Sequence, residues 1–228
     1  VMKNKSTSIF GNIVAFDVSP KNENLLYVGT DDGLIQITTD GGTTWNKKES
    51  FPGIPAMTYV NQIVASRHDE ATVFATFNNH NQGDFKPYIL KSTDKGNSWT
   101  SISGDLPVRG TVYCIAQDHI NKDLLFAGTE FGCFFTINGG TNWIQLKSGL
   151  PTIAIKDMAI QTRENDLVLA SFGRGFYVLD DYSPLRALTT ENLDKKAMIF
   201  PVRTTLEYIE QSPLGLTGRA AQGSGFYL

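Results

Sequence analysis

Basic surplus, cysteine, histidine and long apolar runs are all scarce in this chain, and each scarcity excludes something. Lys and Arg number 20 against 23 Asp and Glu over 228 residues, a net charge of −3, so no excess of positive charge is on hand for a nucleic-acid backbone. No apolar stretch approaches the ~18 residues of a membrane-spanning helix, so no direct membrane span is expected. The opening VMKNKSTSIF holds no apolar segment of the kind a secretory signal uses. His68, His80 and His119 are scattered, with no cysteine or carboxylate motif beside them at ligand spacing, so no metal and no cofactor are expected. Asp31-Asp32-Gly33 lacks the alternating oxygen ligands of a calcium loop. The glycine-rich end, Gly215 to Gly225, lacks the strand before and the helix after that a phosphate cradle needs.

What the chain has instead is a repeated octet. TTDGGTTW (Thr38 to Trp45), STDKGNSW (Ser92 to Trp99) and TINGGTNW (Thr136 to Trp143) contain every tryptophan of the chain. Each follows a short run rich in Ile, Phe or Tyr (GLIQI, PYIL, GCFFTI), which reads as a strand running into a turn. There the third-position side chain, Asp40, Asp94 or Asn138, can accept hydrogen bonds from backbone N–H groups two residues ahead. The fifth-position glycine, Gly42, Gly96 or Gly140, permits a positive φ. Trp45, Trp99 and Trp143 then open the next strand and pack across its neighbours. The third copy decides the role of the acidic position, because Asn138 can brace a turn but cannot act as a catalytic acid. The octets are expected to hold hairpins.

The pattern Ser/Thr-x-Asp-x-Gly-x-x-Trp resembles the Asp-box, or BNR repeat, of β-propellers such as sialidases, sortilin-type receptors and xyloglucan-degrading enzymes. A longer match runs LLYVGTDDGLIQITTDGGTTW, PYILKSTDKGNSWTSISGDLP, LLFAGTEFGCFFTINGGTNW and LVLASFGRGFYVLDDYSPLR. In that order it resembles the C-terminal half of the large bacterial proteins called sortilin-like or "glycosyl hydrolase, BNR repeat", over about residues 8–188. The resemblance implies an all-β β-propeller with four-stranded antiparallel blades, four in this chain as part of a seven-bladed ring. It also implies an exported protein, whether periplasmic, cell-surface or secreted.

The octet Asp/Asn positions 40, 94 and 138 lie 54 and 44 residues apart, and 42 more reach Asp180 in VLDDYSPL, a degenerate copy with Leu185 in the tryptophan place. Two apolar runs precede each copy. LLYVGT, TVFATF, LLFAGT and LVLASF are second strands. NIVAFDV, QIVASRH, YCIAQDH and KDMAIQT are first strands, aligned on Ala15, Ala65, Ala116 and Ala159. Four strands in about 40–45 residues is propeller spacing. A two-sheet sandwich, the other all-β candidate, does not repeat one motif in register four times. The expected blades span about 8–51, 56–104, 108–148 and 152–188, with 189–228 a linker and the start of a following β module. Cys114 and Cys133 fall on the first and third strands of one blade. Such strands lie ~9–10 Å apart, where a disulfide needs Cα atoms within ~7 Å, so two buried free thiols are expected. An arc of four blades leaves two apolar faces uncovered, so the remaining blades are expected from the same or another chain, with closure among these four alone as the alternative.

In a propeller, the loops between second and third strands share one face with the loops leading into first strands, opposite the octet turns. Collected here, that face offers Asp31, Asp32, the long segment Asn78 to Pro87 (with His80, Asp84 and nearby Tyr88), Glu130, Phe131 and Arg174. The loops leading into first strands add Phe10, Asn12, Tyr59, Gln62, Arg109, Tyr113 and Lys156. The long insertion is the one departure from strict repeat length, and extra loop length is a common mark of function. Of the arginines at most Arg109 and Arg174 face this surface, so the three-arginine clamp of sialidases is absent. Asp31, Asp32, Glu130 and Asp157 could supply the carboxylate pair of a glycoside hydrolase, ~6.5–9.5 Å apart in an inverting enzyme, though no spacing marks such a pair. The expected role is a non-catalytic module that binds a glycan or a protein segment on the loop face, with a glycoside hydrolase as the alternative.

Overall fold

In the computed structural model, residues 11–193 and 195–201 are described, together with the backbone of Glu207–Tyr208 and Phe226–Tyr227. Phe10 and the stretch 215–225 lie outside the described residues. The strands come in sets joined by tight turns. β1 (Ile13–Val18), β2 (Leu26–Thr30), β3 (Ile35–Thr38) and β4 (Asn46–Lys48) pair in chain order as one antiparallel sheet. β5 (Tyr59–Ala65), β6 (Val73–Asn78), β7 (Tyr88–Ser92) and β8 (Thr100–Ser101) repeat the arrangement, as do β9 (Val112–Gln117), β10 (Leu125–Thr129), β11 (Gly132–Thr136) and β12 (Ile144–Leu146). β13 (Ile155–Gln161), β14 (Asp166–Ser171) and β15 (Phe176–Leu179) form the last. The first strands β1, β5, β9 and β13 pack side by side in that order. The fold is an all-β propeller arc of four blades. The chain divides into two compact units, Val1–Leu193 and Asp194–Leu228; in the second, β16 (Glu207–Tyr208) pairs antiparallel with β17 (Phe226–Tyr227).

The three octets are built alike. The hydroxyls of Thr38, Ser92 and Thr136 donate to Oδ1 of Asp40, Asp94 and Asn138 at 2.7, 2.7 and 2.8 Å. They also accept the N–H of Gly42, Gly96 and Gly140. The same Oδ1 accepts the N–H of Thr44, Ser98 or Asn142 at 2.9, 2.8 and 3.0 Å. The brace thus reaches four residues ahead rather than two. Both central residues of each turn (Gly41–Gly42, Lys95–Gly96, Gly139–Gly140) have positive φ and carry the chain around a wider loop. Asn138 closes that loop with an amide oxygen, so the turn needs an acceptor and not a charge. Asp94→Asn is therefore expected to leave the urea midpoint unchanged, while Asp94→Ala should cost about 0.5–2 kcal/mol, as loss of a side-chain cap does. Equal losses in both would show that the charge matters.

The fourth copy departs from this plan. Asp180 is exposed and accepts none of these bonds. Instead Asp181, at φ 47°, accepts the N–H and hydroxyl of Ser183 at 3.3 and 2.5 Å. Ser183–Ala187 then forms a short 3-10 turn with proline near its start, where the other blades form a fourth strand. Pro184 has no N–H to give a ladder. The last blade accordingly has three strands among the described residues, although Leu185 still packs into its core.

The aligned alanines do not share one register either. Leu26, Val73, Leu125 and Val168 are equivalent, since each stands opposite the octet's first position or its counterpart Val178. Their first-strand partners are Val18, Ala65, Gln117 and Ala159. Only Ala65 and Ala159 agree, because the turn between first and second strands fixes the pairing whatever residue type stands there.

Three apolar cores fill the three spaces between blades. Tyr27, Ile35 and Ile37 meet Val60, Ile63 and Phe77; Phe74, Ile89 and Leu106 meet Val112, Ile115 and Phe134; Cys114, Phe126 and Cys133 meet Met158, Leu167 and Leu169. The second and third octet tryptophans, Trp99 and Trp143, pack back on the preceding blade. Trp99 stands edge-on to Phe51 with centroids 5.9 Å apart, and Trp143 donates its ring N–H to the Ile102 carbonyl at 2.9 Å. Both are 7% exposed, whereas Trp45, with no blade before it among the described residues, is 43% exposed. Cys114 and Cys133 are buried free thiols two strands apart, both opposite Gly128, as expected.

Candidate functional site

All four first strands carry a bulge at the loop-face end. Register slips between Ile13 and Ala15, Val60 and Gln62, Val112 and Cys114, and Ile155 and Asp157. An extra residue breaks the strict alternation of a strand and re-aims a side chain. Here the slips bring Asn61, Tyr113 and Lys156, from three successive blades, into one cleft of about 500 Å³, completed by Tyr59, Asn78, His80 and Asn81.

The cleft is held from behind by polar contacts between blades. Asn61 Nδ2 donates to the Tyr113 carbonyl, which also receives the Thr76 hydroxyl at 3.4 Å. Gln62 faces elsewhere, accepting the Ile115 N–H at 2.7 Å. Buried Asn78 accepts the backbone N–H of His80 at 3.1 Å, and its Oδ1 faces His80 Nδ1. His80–Gln82 is a 3-10 turn closed by Gly83 at φ 73°. The Lys156 ammonium stands 3.3 Å from the centroid of the Tyr113 ring and 5.6 Å from that of Phe172. Burial against these rings lowers its pKa from the ordinary lysine value, against an opposing pull from Glu130. Burial also raises the phenols of Tyr59 and Tyr113, helped by Asp31 and Glu130 respectively. The cleft therefore presents amides, neutral phenols, an imidazole and one cation. Among the described residues no carboxylate lines it.

Of the residues expected on this face, Tyr59, His80, Tyr113 and Lys156 come together in the cleft, with Asn78 and Asn81 of the long segment. Asp31 does not: its Oδ1 accepts the N–H groups of Gly11 and Asn12 at 2.8 and 3.0 Å, and its Oδ2 the Asn12 amide at 2.7 Å. Burial works to raise its carboxyl, and these bonds outweigh it and hold the group below its ordinary value. Asp32 takes the Thr30 hydroxyl. Asp84 and Tyr88 hold the long loop together, Tyr88 donating at 2.6 Å and Asn79 at 3.2 Å to the same carboxylate oxygen. Glu130 and Phe131 lie on the β10–β11 turn outside the cleft lining, and Arg109 and Arg174 are exposed. The sequence reading chose Gln62 and not Asn61, which stands at the bulge between Val60 and Gln62 and is turned into the cleft. Among the described residues, no group of three or more His, Cys, Asp or Glu could hold a metal, and no helix is long and apolar enough to cross a membrane.

No protein-family model and no curated protein matches the chain. Solved structures do. An ancestral GH74 enzyme is similar with a TM-score of 0.59 and 19% identity, over 77% of this chain and 25% of its own. YCF48 bound to D1 peptide is similar at 0.54 and 16%, over 75% and 51%. The extracellular domain of a proposed one component system from B. thetaiotaomicron is similar at 0.57 and 13%, over 78% and 22%. The chain thus spans between about a quarter and a half of these proteins, and at such identities the likeness is one of fold.

Proposed function

We propose that the chain is a non-catalytic binding module of an exported Asp-box propeller, and that its ligand lodges in the cleft between the second, third and fourth blades. The observation that carries this reading is the cleft's chemistry. A glycosidase of the two-carboxylate kind needs an acid and a base facing one bond, whereas among the described residues none of the side chains lining the cleft is acidic. Asp31, one of the carboxylates expected on this face, is occupied in fixing residues 11 and 12. Amides, phenols and half-exposed rings suit recognition of a glycan or a polypeptide. The solved neighbours are compatible with either outcome, since they include both an enzyme and a peptide-bound propeller. Further blades, from the same polypeptide or another, complete the ring.

Reducing-sugar release measured across plant and host polysaccharides tests the absence of catalysis. No turnover is expected. Release that disappears in Asp31→Asn or Glu130→Gln would overturn the reading and establish the hydrolase instead.

A further inference from the structure

Two features of the loop face specify what would fill it, and both rest on the binding role proposed above. The first is charge. Lys156 holds its ammonium over the Tyr113 ring in a cleft whose lining has no acidic side chain, and it makes no ion pair among the described residues. Asn78 lines the same cleft, and its amide nitrogen has no hydrogen-bond partner among the described residues. A cation partly withdrawn from water on an aromatic face, with an amide donor nearby, is best matched by a carboxylate, which forms charge-assisted hydrogen bonds.

The second feature is apolar exposure on the same face. Phe172, beside Lys156, is 71% exposed, and Val108 is 76% exposed. Phe85 and Phe131 are also exposed, and the Phe85 backbone and the Phe131 ring both reach Gly110. Its N–H bonds the Phe85 carbonyl at 2.9 Å, and the Phe131 ring lies 3.7 Å from where a Cβ would stand. Single exposed apolar residues are ordinary, but a group of them around one polar cleft marks a contact surface. A pyranose brings small C–H patches set among hydroxyls, whereas an apolar polypeptide side chain covers exposed Phe and Val side chains more completely.

We infer that the loop face binds an extended polypeptide segment whose acidic side chain seats on Lys156, flanked by apolar side chains that cover the exposed Phe172, Phe85, Val108 and Phe131. The segment would gain affinity from the apolar contacts and register from the ion pair.

The test uses the whole chain, immobilised, and capped synthetic octapeptide pools with Asp, Asn or Lys fixed at the centre between Leu and Phe. The Asp pool should be retained about tenfold more strongly than the Asn pool, the scale of one charge-assisted contact. Lys156→Met should bring the two pools level, and Phe172→Ser should weaken retention of the Asp pool. Both side chains are exposed, so thermal melts of these variants should match the parent. Equal retention of Asp and Asn pools, or Asp retention unchanged in Lys156→Met, overturns the inference. If neither pool binds but oligogalacturonate does, the peptide inference fails and the binding role stands. If nothing binds in either arm, both fail.

Discussion

Asp118→Ala should cost about 3–5 kcal/mol of stability, the scale of breaking a buried ion pair while leaving its partner behind. Asp118 lies just after β9, and its side chain is fully buried. Its Oδ1 accepts the Tyr182 hydroxyl at 2.6 Å and Arg186 at 2.7 Å. Its Oδ2 accepts Arg186 Nε at 2.9 Å and the N–H groups of Ile120 and Asn121 at 3.1 and 2.6 Å. Tyr182 and Arg186 come from the segment after β15, so one carboxylate ties the end of the fourth blade to the third. Burial alone would raise its pKa, but the bonds from Arg186 and Tyr182 prevail and hold it at about 2. A depressed folded pKa means that the contribution is present above the unfolded value of 3.8 and is lost as pH falls from there toward 2. The parent protein should therefore lose stability steeply over that acid range, and Asp118→Ala should lose less. Urea melts at neutral pH and near pH 3 check both statements. A loss below about 1 kcal/mol at neutral pH would place this pair with weak surface ion pairs and refute the clamp.

The second large effect concerns the ends of the arc. Ile13 and Phe16 are 67% and 58% exposed on β1, and Trp45 lines a groove beside them. Phe176 and Val178 are 76% and 55% exposed on β15, while Leu167 and Leu169 of the same blade are buried against the third. Among the described residues no strand of the fourth blade packs on the first as consecutive blades pack on each other. Two sheet faces of this kind should associate. The isolated 228-residue chain is accordingly expected to sediment as associated species, and charge placed on one face (Phe176→Glu with Val178→Lys) should shift it toward monomer. A monomer at all concentrations, with a cooperative melt, would contradict the open arc.

The octets made the fold legible, because one turn chemistry recurs at propeller spacing and its tryptophans mark where blades meet. Less legible was the fourth copy. By residue type Asp180 matches Asp40 and Asp94, yet Pro184 ends the ladder and Asp181 takes the turn. The cleft was half legible. Tyr59, His80, Tyr113 and Lys156 follow from loop position alone, whereas Asn61 stands at a bulge that composition does not announce. Asp31 looked available because a carboxylate's partners are invisible until the backbone of residues 11 and 12 is placed against it. The Asp118–Arg186 clamp joins residues 68 positions apart in different blades, and no local pattern signals it.

Binding of the parent chain to a combined glycan and peptide array, repeated with the exposed pair His80→Ala and Asn81→Ala and with Asp94→Asn on the opposite face, tests the assignment of the cleft most directly. Ligands retained by the parent should be lost when His80 and Asn81 are replaced and kept in Asp94→Asn. A signal that survives the cleft changes and disappears in Asp94→Asn would place the binding surface on the octet turns and contradict the account.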